Sequence, residues 1–372
     1  MKAILFANTD WYLYNFRLAY ATFLREKGWD VVFMSPTGEY AEKLEQAGFR
    51  HIPFEISRKG INPLQENEMI QRIKKIYEDE KPDLVHHFTI KCVIYGSLAA
   101  QEQGIKAIVN SITGLGYMFL SNKPHVRMLR EVVKSLYKRA LRGTQVIFEN
   151  PDDRNFFMEM GLVEESSSHI VLGTGIDTEK FTPEPPPNSV PLTILPARMI
   201  WDKGVGEFVE AARMIHESGI QARFALIGNN DTGNPTCIPF DQLSRWQKEG
   251  NVEWWGWQDD VQTVISMSHI VCLPSYREGL PKILLEAASC SRPIVTTDVP
   301  GCREVVEEGI NGYKVPAKNA EALKNALLKL IEDPEKRNEM GNASRELAIK
   351  KFSNQIINDG IYSVYQKALA NQ

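Results

Sequence analysis

Short apolar runs alternate with longer segments in which apolar residues recur every three or four positions, and this pattern fills the first half of the chain. Short runs predict buried parallel strands, and the three-to-four spacing predicts amphipathic helices between them. The alternation therefore favours a doubly wound α/β sheet, in which ligands bind beyond the carboxyl ends of the strands. The predicted strands are Lys2 to Ala7, Asp30 to Ser35, His51 to Phe54, Leu84 to His87, Ala107 to Asn110, Val146 to Glu149 and His169 to Leu172.

A second sheet is predicted after residues 183–191, a segment that contains five prolines. Such a cluster suits a connection between domains rather than the interior of an element. The chain is therefore divided at 182/183, with a second domain from 183 to 353 and a final helix in 354–372. Asn311-Gly312 predicts a hairpin turn in this half. Its predicted strands are Leu192 to Pro196, Arg223 to Gly228, Val252 to Trp255, Ile270 to Leu273 and Pro293 to Thr297.

Composition narrows the class of protein. The chain has 372 residues, of which 43% are hydrophobic and 24% charged, as in a globular protein large enough for two domains. Its net charge of −4 gives no reason to expect a nucleic acid partner. Five scattered cysteines without a Cys-x-x-Cys pair favour the reducing cytoplasm over a disulfide framework or a zinc site. The first strand does not resemble a signal peptide, and no apolar run reaches the roughly 18 residues of a membrane helix.

One strand–turn–helix segment combines several chemical features. The predicted strand Ile270 to Leu273 leads into a turn that carries Glu278, and Glu286 interrupts the apolar face of the helix that follows. The backbone N–H groups of Gly279 and Leu280 lie at the positive end of that helix, where phosphate binds readily. The alternative is an ordinary turn with a solvated Glu278 and a hydrogen-bonded Glu286.

Seven residues separate Glu278 from Glu286 within Pro-Ser-x-x-Glu-Gly-x-Pro-x-x-x-Leu-Glu-Ala, and this pattern resembles the signature of family-4 retaining glycosyltransferases. The whole chain resembles the bacterial branch that adds N-acetylgalactosamine or a related sugar to an undecaprenyl-diphosphate-linked sugar. The resemblance implies the GT-B fold, with two Rossmann-like domains facing across a cleft. It also implies that the first domain binds the acceptor, the second binds the donor, and the final helix returns to the first.

For the donor, a UDP-sugar, the resemblance implies that Glu278 lies beside the sugar, that Glu286 binds the ribose, and that Gly256 and Trp257 lie at the nucleobase. Arg198 and Lys203 match the family's pair of cations, which suits a donor diphosphate. No Asp-x-Asp occurs in the sequence, so neither a metal nor another cofactor is expected. In such enzymes the departing phosphate is widely proposed to take the acceptor's proton.

The acceptor residues are predicted in the loops of the first half. A polar loop is expected from Asn8 to Asn15, ahead of a helix from Phe16 to Lys27, and Phe16-Arg17 resembles a pair found in the narrower branch. Arg17 is either a bidentate diphosphate ligand or a surface arginine. After the third strand, two cations are expected either to bind the acceptor's phosphate or to lie in a solvated turn. Further along, one lysine resembles a lysine of the narrower branch, and two glycines would let the backbone approach a ligand. These residues are Arg58, Lys59, Lys91, Gly114 and Gly116.

Residues 123–142 combine a helical apolar repeat with almost exclusively positive charge. A basic amphipathic helix in an acidic protein favours contact with a membrane surface. The chain is therefore expected to lie peripherally on the inner face of the cytoplasmic membrane, and the alternative is a core-packed helix with a basic solvent face. The cations expected to face the membrane are Arg127, Arg130, Lys134 and Lys138.

Three other functions were weighed. A GT-B enzyme with a soluble acceptor is disfavoured by the basic helix, and a non-catalytic sugar-nucleotide-binding protein is disfavoured by the intact charged residues. A two-domain dehydrogenase would need a Gly-x-Gly-x-x-Gly after the first strand, which this sequence lacks. Epimeric sugars differ by one hydroxyl group, so the sequence leaves the transferred sugar open.

Overall fold

A computed structural model describes residues 1–56, 63–115, 119 and 124–370. The chain divides into two compact units: unit 1 comprises residues 1–174 and 357–372, and unit 2 comprises residues 175–356. The division lies eight residues before the sequence-based boundary, beside Gly173 and Gly175, whose φ angles are 78° and 79°. Left-handed angles of this kind favour glycine, so the two glycines allow the chain to turn here. The boundary between the units therefore lies at this turn and not in the proline-rich segment that follows.

Unit 1 contains a seven-stranded sheet in the order β3-β2-β1-β4-β5-β6-β7, and all its pairings are parallel. Ile4 lies between Val32 and Val85 in the register, and the central strands are fully buried. Such near-continuous apolar strands are typical of sheets covered on both faces. The strands are β1 Lys2–Phe6, β2 Asp30–Ser35, β3 Arg50–Pro53, β4 Leu84–Phe88, β5 Ala107–Ile112, β6 Gln145–Phe148 and β7 Ser168–Ile170.

The first helix begins earlier than the sequence pattern indicated. Residues 10–15 were predicted as loop, but they are helical, because the Thr9 hydroxyl accepts a hydrogen bond from the Tyr12 amide at 3.1 Å and caps the helix there. The apolar repeat starts only at Leu13, which hid the first turn. The helices of unit 1 before the boundary are α1 Asp10–Glu26, α2 Glu39–Gln46, α3 Pro63–Glu80, α4 Ile90–Glu102, α5 Pro124–Ala140 and α6 Pro151–Glu159.

Unit 2 contains a six-stranded parallel sheet in the order β10-β9-β8-β11-β12-β13. Its strands are β8 Leu192–Pro196, β9 Arg223–Ile227, β10 Glu253–Gly256, β11 Ile270–Leu273, β12 Ile294–Thr297 and β13 Gly312–Val315. Its helices are α7 Val205–Glu217, α8 Phe240–Glu249, α9 Val261–Ser266, α10 Lys282–Ser289, α11 Ala320–Ile331 and α12 Pro334–Leu347, followed by a π-helical turn Ala348–Phe352.

The predicted hairpin at Asn311-Gly312 is wrong. Gly312 begins β13, which pairs parallel to β12 with Gly312 opposite Ile294. A Cβ atom at Gly312 would lie 1.9 Å from the Ile294 carbonyl oxygen, so close strand approach accounts for the glycine.

The last helix, α13 Asn354–Ala370, packs on unit 1, as the resemblance implied. Ile361, Val364 and Tyr365 join the apolar cluster formed by α1 and one face of the first sheet. The Tyr365 hydroxyl lies 2.9 Å from Nδ1 of His86 on β4, which ties the end of the chain to the centre of this sheet. Among the described residues, no helix is both long and apolar enough to span a membrane.

Candidate active site

In unit 2, residues 274–281 form a turn between β11 and α10, here named the Glu278 turn. Backbone groups of neighbouring loops fix its path. The Asp202 carbonyl accepts hydrogen bonds from the Ser275 hydroxyl at 3.1 Å and from the Tyr276 amide at 2.8 Å. The Glu278 amide donates to the Pro300 carbonyl at 3.0 Å. The turn is therefore fastened to the loops that follow β8 and β12.

Two glycines allow these loops to approach so closely. A Cβ atom at Gly204 would lie 2.0 Å from the Pro274 carbonyl oxygen, and one at Gly301 would lie 2.5 Å from the Gly279 carbonyl oxygen. Both glycines also have left-handed φ angles, 69° and 84°. A side chain at either position would therefore separate the loops and strain the backbone.

Lys203 and Glu278, 75 residues apart in the chain, form an ion pair in which Nζ donates to Oε1. Their side chains are only 17% and 13% exposed. Arg198, like Lys203, lies on the loop after β8, but it pairs with Asp231, with 2.7 Å between Nη1 and Oδ2. Its side chain is 58% exposed. The structure thus pairs Lys203 with Glu278, while Arg198, on the same loop as Lys203, pairs with Asp231.

Glu286 lies on α10, on the helix that the Glu278 turn introduces. Burial raises the pKa of its carboxyl group to about 7, although Lys282 and Lys180 lower it. A ligand that donates hydrogen bonds to this group would lower its pKa again and favour the ionised carboxylate.

The loops after β9 and β10 are joined by Asn229, a residue that the sequence did not single out. Its side-chain oxygen accepts a hydrogen bond from the Trp257 amide at 3.1 Å, and the Gly228 amide donates to the Gly256 carbonyl at 2.7 Å. The Trp257 ring is 53% exposed, and its N–H donates to Asp259 at 2.8 Å. The signal was available in the sequence, since Asn229 directly follows a predicted strand.

Unit 1 carries a separate cavity of about 410 Å³ at the carboxyl ends of β1, β4 and β5, here named the unit 1 cavity. Lys91 and Gly114 line it, as do Asn8, Thr89 and Thr113, which the sequence did not indicate as site residues. Thr89 has a φ of 69°, a strained value for a residue with a side chain and one that is frequent at functional sites. Gly116, Arg58 and Lys59 lie outside the described residues.

Arg17 is buried, with 2% exposure, and is not among the residues that line the cavity. Its guanidinium lies 4.2 Å from the centre of the Phe88 ring, donates to the Tyr12 hydroxyl at 3.1 Å, and lies 3.6 Å from a Glu149 oxygen. Burial, against the opposing effect of Arg17, raises the pKa of Tyr12 to about 12. The burial of this side chain contradicts the alternative of a surface arginine, and contact with a diphosphate stays a prediction.

The apolar stripe of α5 packs inside unit 1. Val133, Tyr137 and Ala140 are buried in its core, which agrees with the alternative of a core-packed helix. The exposed face instead carries Met128 and Val132, 76% and 50% exposed. Of the predicted membrane-facing cations, Arg127 and Lys138 are exposed, Arg130 is half-buried, and Lys134 lies 3.1 Å from Glu131. Lys123 lies outside the described residues.

The histidine pair of β4 serves the core. His86 bonds the Tyr365 and Ser111 hydroxyls at 2.9 and 2.8 Å, and His87 bonds Tyr77 at 2.9 Å and Asn110 at 3.0 Å. Burial lowers the pKa of both rings, that of His87 to about 4. Across the described part of the chain, no three His, Cys, Asp or Glu side chains are grouped so that they could hold a metal ion.

Comparisons with known proteins agree with this architecture. Residues 2–150 match the family model described as glycosyl transferase 4-like, and residues 177–347 match glycosyl transferases group 1. The first match lies within unit 1 and the second within unit 2. The chain is a glycosyltransferase of the family-4 type, with the GT-B fold.

Among curated relatives, it is 28% identical to the N,N'-diacetylbacillosaminyl-diphospho-undecaprenol alpha-1,3-N-acetylgalactosaminyltransferase of Campylobacter jejuni, over 96% of both chains. It is 24% identical to an Escherichia coli UDP-Gal:alpha-D-GlcNAc-diphosphoundecaprenol alpha-1,3-galactosyltransferase, over 74% of this chain and 73% of the relative. Solved structures of similar fold include a Rickettsia africae glycosyltransferase, with a TM-score of 0.83 at 18% identity, covering 100% and 99% of the two chains. Anabaena HepE in complex with UDP has a TM-score of 0.79 at 18% identity, covering 99% and 100%.

Proposed function

We propose that this glycosyltransferase moves a hexosamine, of the N-acetylgalactosamine or N-acetylglucosamine type, from a UDP-sugar to an undecaprenyl-diphosphate-linked sugar, with retention at the anomeric carbon. Such a reaction serves the assembly of a surface polysaccharide or of a glycoprotein glycan. The observation that carries the proposal is the Lys203–Glu278 pair, held on the fixed Glu278 turn at the carboxyl edge of the second sheet. Similarity to a lipid-linked N-acetylgalactosaminyltransferase along nearly the whole chain supports the acceptor class.

On the donor side, negative charge grows on the UDP diphosphate as the sugar leaves. Lys203 meets that charge from a nearly buried position, where its electrostatic effect is strong. The exposed Arg198 side chain can turn from Asp231 to the diphosphate, and the amides of Gly279 and Leu280 add backbone dipoles at the start of α10. Glu278 holds sugar hydroxyls, and the departing phosphate oxygen takes the acceptor's proton. This mechanism uses charged side chains and no metal.

Recognition of the nucleoside rests on two places in unit 2. Glu286 accepts hydrogen bonds from the ribose hydroxyls, and Gly256 and Trp257 contact the base from the loop that Asn229 fixes. The complex of HepE with UDP, in a protein of the same fold, supports UDP as the nucleotide.

The acceptor is assigned to the unit 1 cavity. Lys91 stands at the start of α4, where the helix dipole adds to its charge, so the acceptor's diphosphate is favoured there. Gly114 has a φ of 134° and lets backbone approach the ligand. Arg58, Lys59 and Gly116 are proposed acceptor residues on sequence grounds alone. Arg17, being buried, is proposed to support Tyr12 and Phe88 beneath this edge of the sheet.

Peripheral attachment to the inner face of the cytoplasmic membrane is proposed for the exposed face of α5. That face exposes Arg127, Lys138 and Arg139 together with Met128 and Val132. The cations would attract anionic headgroups, and the two apolar side chains would enter the shallow apolar layer of the membrane. We expect this helix to bind membranes more weakly than its composition alone indicates, because its main apolar stripe packs in the core of unit 1.

The membrane proposal is tested by sedimentation with phosphatidylglycerol vesicles. Changing Arg127, Arg130, Lys134 and Lys138 together to Gln should lower binding at low salt by roughly a hundredfold, since each cation near an anionic surface contributes up to about 1 kcal/mol. Exposed lysines of unit 2, such as Lys248 and Lys350, changed to Gln provide the control. Wild-type protein that stays in the supernatant at low salt would contradict the proposal.

The reaction itself is tested with a panel of UDP-sugars against short polyprenyl-diphosphate-linked sugars and against free sugars. Transfer from a UDP-hexosamine to a diphosphate-linked sugar is expected. The proton coupling constant of the new anomeric centre should show an α-linkage. Transfer to free sugars alone, or a β-linked product, would overturn the acceptor or the stereochemical assignment.

A further inference from the structure

We infer that Glu66 determines acceptor specificity: its carboxylate accepts a hydrogen bond from an O–H or N–H group of the sugar held at the unit 1 cavity. The inference rests on the proposed acceptor class and adds a residue that neither the sequence pattern nor the relatives' names single out.

Glu66 lies in the first turns of α3 and meets the cavity through Lys91. The Lys91 ammonium group, which lines the cavity, is 2.9 Å from Glu66 Oε1. The two side chains are 19% and 10% exposed. Glu66 is not itself among the residues that line the cavity, so its carboxylate lies behind Lys91, whose ammonium group already occupies one of its oxygens.

The other oxygen, Glu66 Oε2, is buried and has no hydrogen-bond partner among the described residues. A buried carboxylate oxygen without a partner is costly and is uncommon in folded proteins. Burial raises the pKa of the neighbouring Tyr95 hydroxyl well above its usual value, and a hydrogen bond to Glu66 and the Glu66 charge add to this shift. The Tyr95 hydroxyl therefore keeps its proton beside this carboxylate, while Oε2 itself has no hydrogen-bond partner among the described residues.

A small rotation brings this oxygen within reach of a ligand. The terminal torsion of a glutamate is soft, so the carboxylate can turn about it while Lys91 keeps its contact. A ligand that reaches Lys91 from the cavity therefore meets Oε2 as well.

The chemistry of the pair limits what it can bind. A carboxylate only accepts hydrogen bonds, so the group recognised by Glu66 must carry a hydrogen, as a hydroxyl or an amide does. Phosphate bears the same charge as Glu66 and is favoured only at Lys91. The Lys91–Glu66 pair thus suits a ligand with an anionic group on one side and a hydrogen-bond donor on the other, as in a sugar joined to a diphosphate.

The variant E66Q tests this idea because it reverses the polarity at one atom. Lys91 keeps the remaining side-chain oxygen, so the new NH₂ group takes the place of Oε2. A hydrogen-bond acceptor is then replaced by a donor without a change of volume. Glu68, exposed and on the same turn of α3, gives the matched control E68Q.

The experiment measures kcat/KM for short polyprenyl-diphosphate-linked sugars that differ by one group at a time, with N-acetylamino, hydroxyl or hydrogen at one ring carbon. For one such group, its removal should lower the wild-type value about tenfold to a hundredfold. E66Q should lose a similar factor with the complete acceptor and should no longer distinguish it from the truncated one. E68Q should match the wild type, and KM for the UDP-sugar should be the same in all three proteins.

E66Q that discriminates between the acceptors as strongly as the wild type would overturn the inference and leave the proposed function standing. An equal loss with every acceptor would do the same, because Glu66 would then only hold Lys91. If the wild type transfers to no diphosphate-linked sugar, the proposed function and this inference fall together. Thermal unfolding checks that E66Q is folded, and E66D, which withdraws the oxygens but keeps the charge, replaces it if it is not.

Discussion

The Glu278 turn in unit 2 and the unit 1 cavity are built by different means. The turn is fixed mainly by backbone: carbonyl groups of Asp202 and Pro300 hold it, and Gly204 and Gly301 allow the contact. Nine of the ten residues that line the cavity carry a side chain, among them Asn8 and Lys91. Backbone contacts tolerate few residues, whereas a side-chain wall can be altered one residue at a time. Under the proposed function, this difference fixes the reaction chemistry in unit 2 and leaves acceptor choice adjustable in unit 1.

The strongest test of a backbone-built turn is Gly204→Ala. The added Cβ atom would meet the Pro274 carbonyl at 2.0 Å, so we expect the Glu278 turn to shift and transfer to fall by roughly a hundredfold or more. Gly219→Ala is the matched control, because Gly219 has a similar φ of 82° and nothing within 4 Å of the added atom. If both variants lose the same activity, backbone strain rather than contact with the turn explains the glycine.

Lys203→Ala removes the positive charge that pairs with Glu278 from the loop after β8. We expect the transfer rate to fall roughly a hundredfold, or about 3 kcal/mol, because the leaving diphosphate loses a preorganised cation. The exposed Lys248 changed to Ala provides the control for general loss of positive charge. An unaltered rate in a folded Lys203→Ala protein would show that the ion pair with Glu278 is only structural.

Glu286 gives unit 2 a pH dependence that can be measured without substrate. Its pKa is raised to about 7 in the folded protein, so folding favours the protonated form. The associated stability is present below about pH 4.3, the unfolded value, and is lost as pH rises through about 7. We expect E286Q to remove this part of the pH dependence, which the raised pKa puts at about 3 kcal/mol.

Thermal unfolding of both proteins between pH 5 and 8 would measure this difference. UDP should reduce this difference between the two proteins, because its ribose hydroxyls would donate hydrogen bonds to the ionised Glu286 carboxylate. Identical pH profiles for wild type and E286Q would contradict the assignment.

The smallest expected effect is that of chelation. Since Lys203 and Arg198 are proposed to neutralise the diphosphate, excess EDTA should leave transfer essentially unchanged. The measurement is turnover with EDTA, then with magnesium restored. Activity that disappears with EDTA and returns only with magnesium would show that a metal ion, and not Arg198 and Lys203, neutralises the charge of the diphosphate.

The same difference in construction explains what the sequence could predict. Apart from β13, the parallel strands were predicted nearly to the residue because uninterrupted apolar runs have few other uses; β8 and β11, for example, match the predictions. Glu278 was predicted through the resemblance of its spacing from Glu286, and Lys203 as the second cation of an Arg-x-x-x-x-Lys pair; the structure brings the two together. Gly312 was misassigned because a glycine forced by a neighbouring strand looks, in sequence, like a turn glycine.

The cavity residues were harder to foresee. Asn8 and Thr113 are common polar residues at strand ends, and only the sheet order shows that they share one wall. Glu66 has no motif at all, because its significance lies in an unpaired oxygen. The burial of Arg17 depends on Phe88 and Glu149, which lie far from it in the chain.

The bond between His86 and Tyr365 has a consequence for how the protein is made on the ribosome. The two residues are 279 positions apart, and α13 covers Tyr20 and Trp29 as well as His86. Synthesis of the first sheet is therefore finished long before the helix that covers one of its faces emerges. Unit 2 is complete in the nascent chain by residue 356, while unit 1 still has an apolar face uncovered. Helix α13 thus covers a sheet whose strands are all synthesised before unit 2.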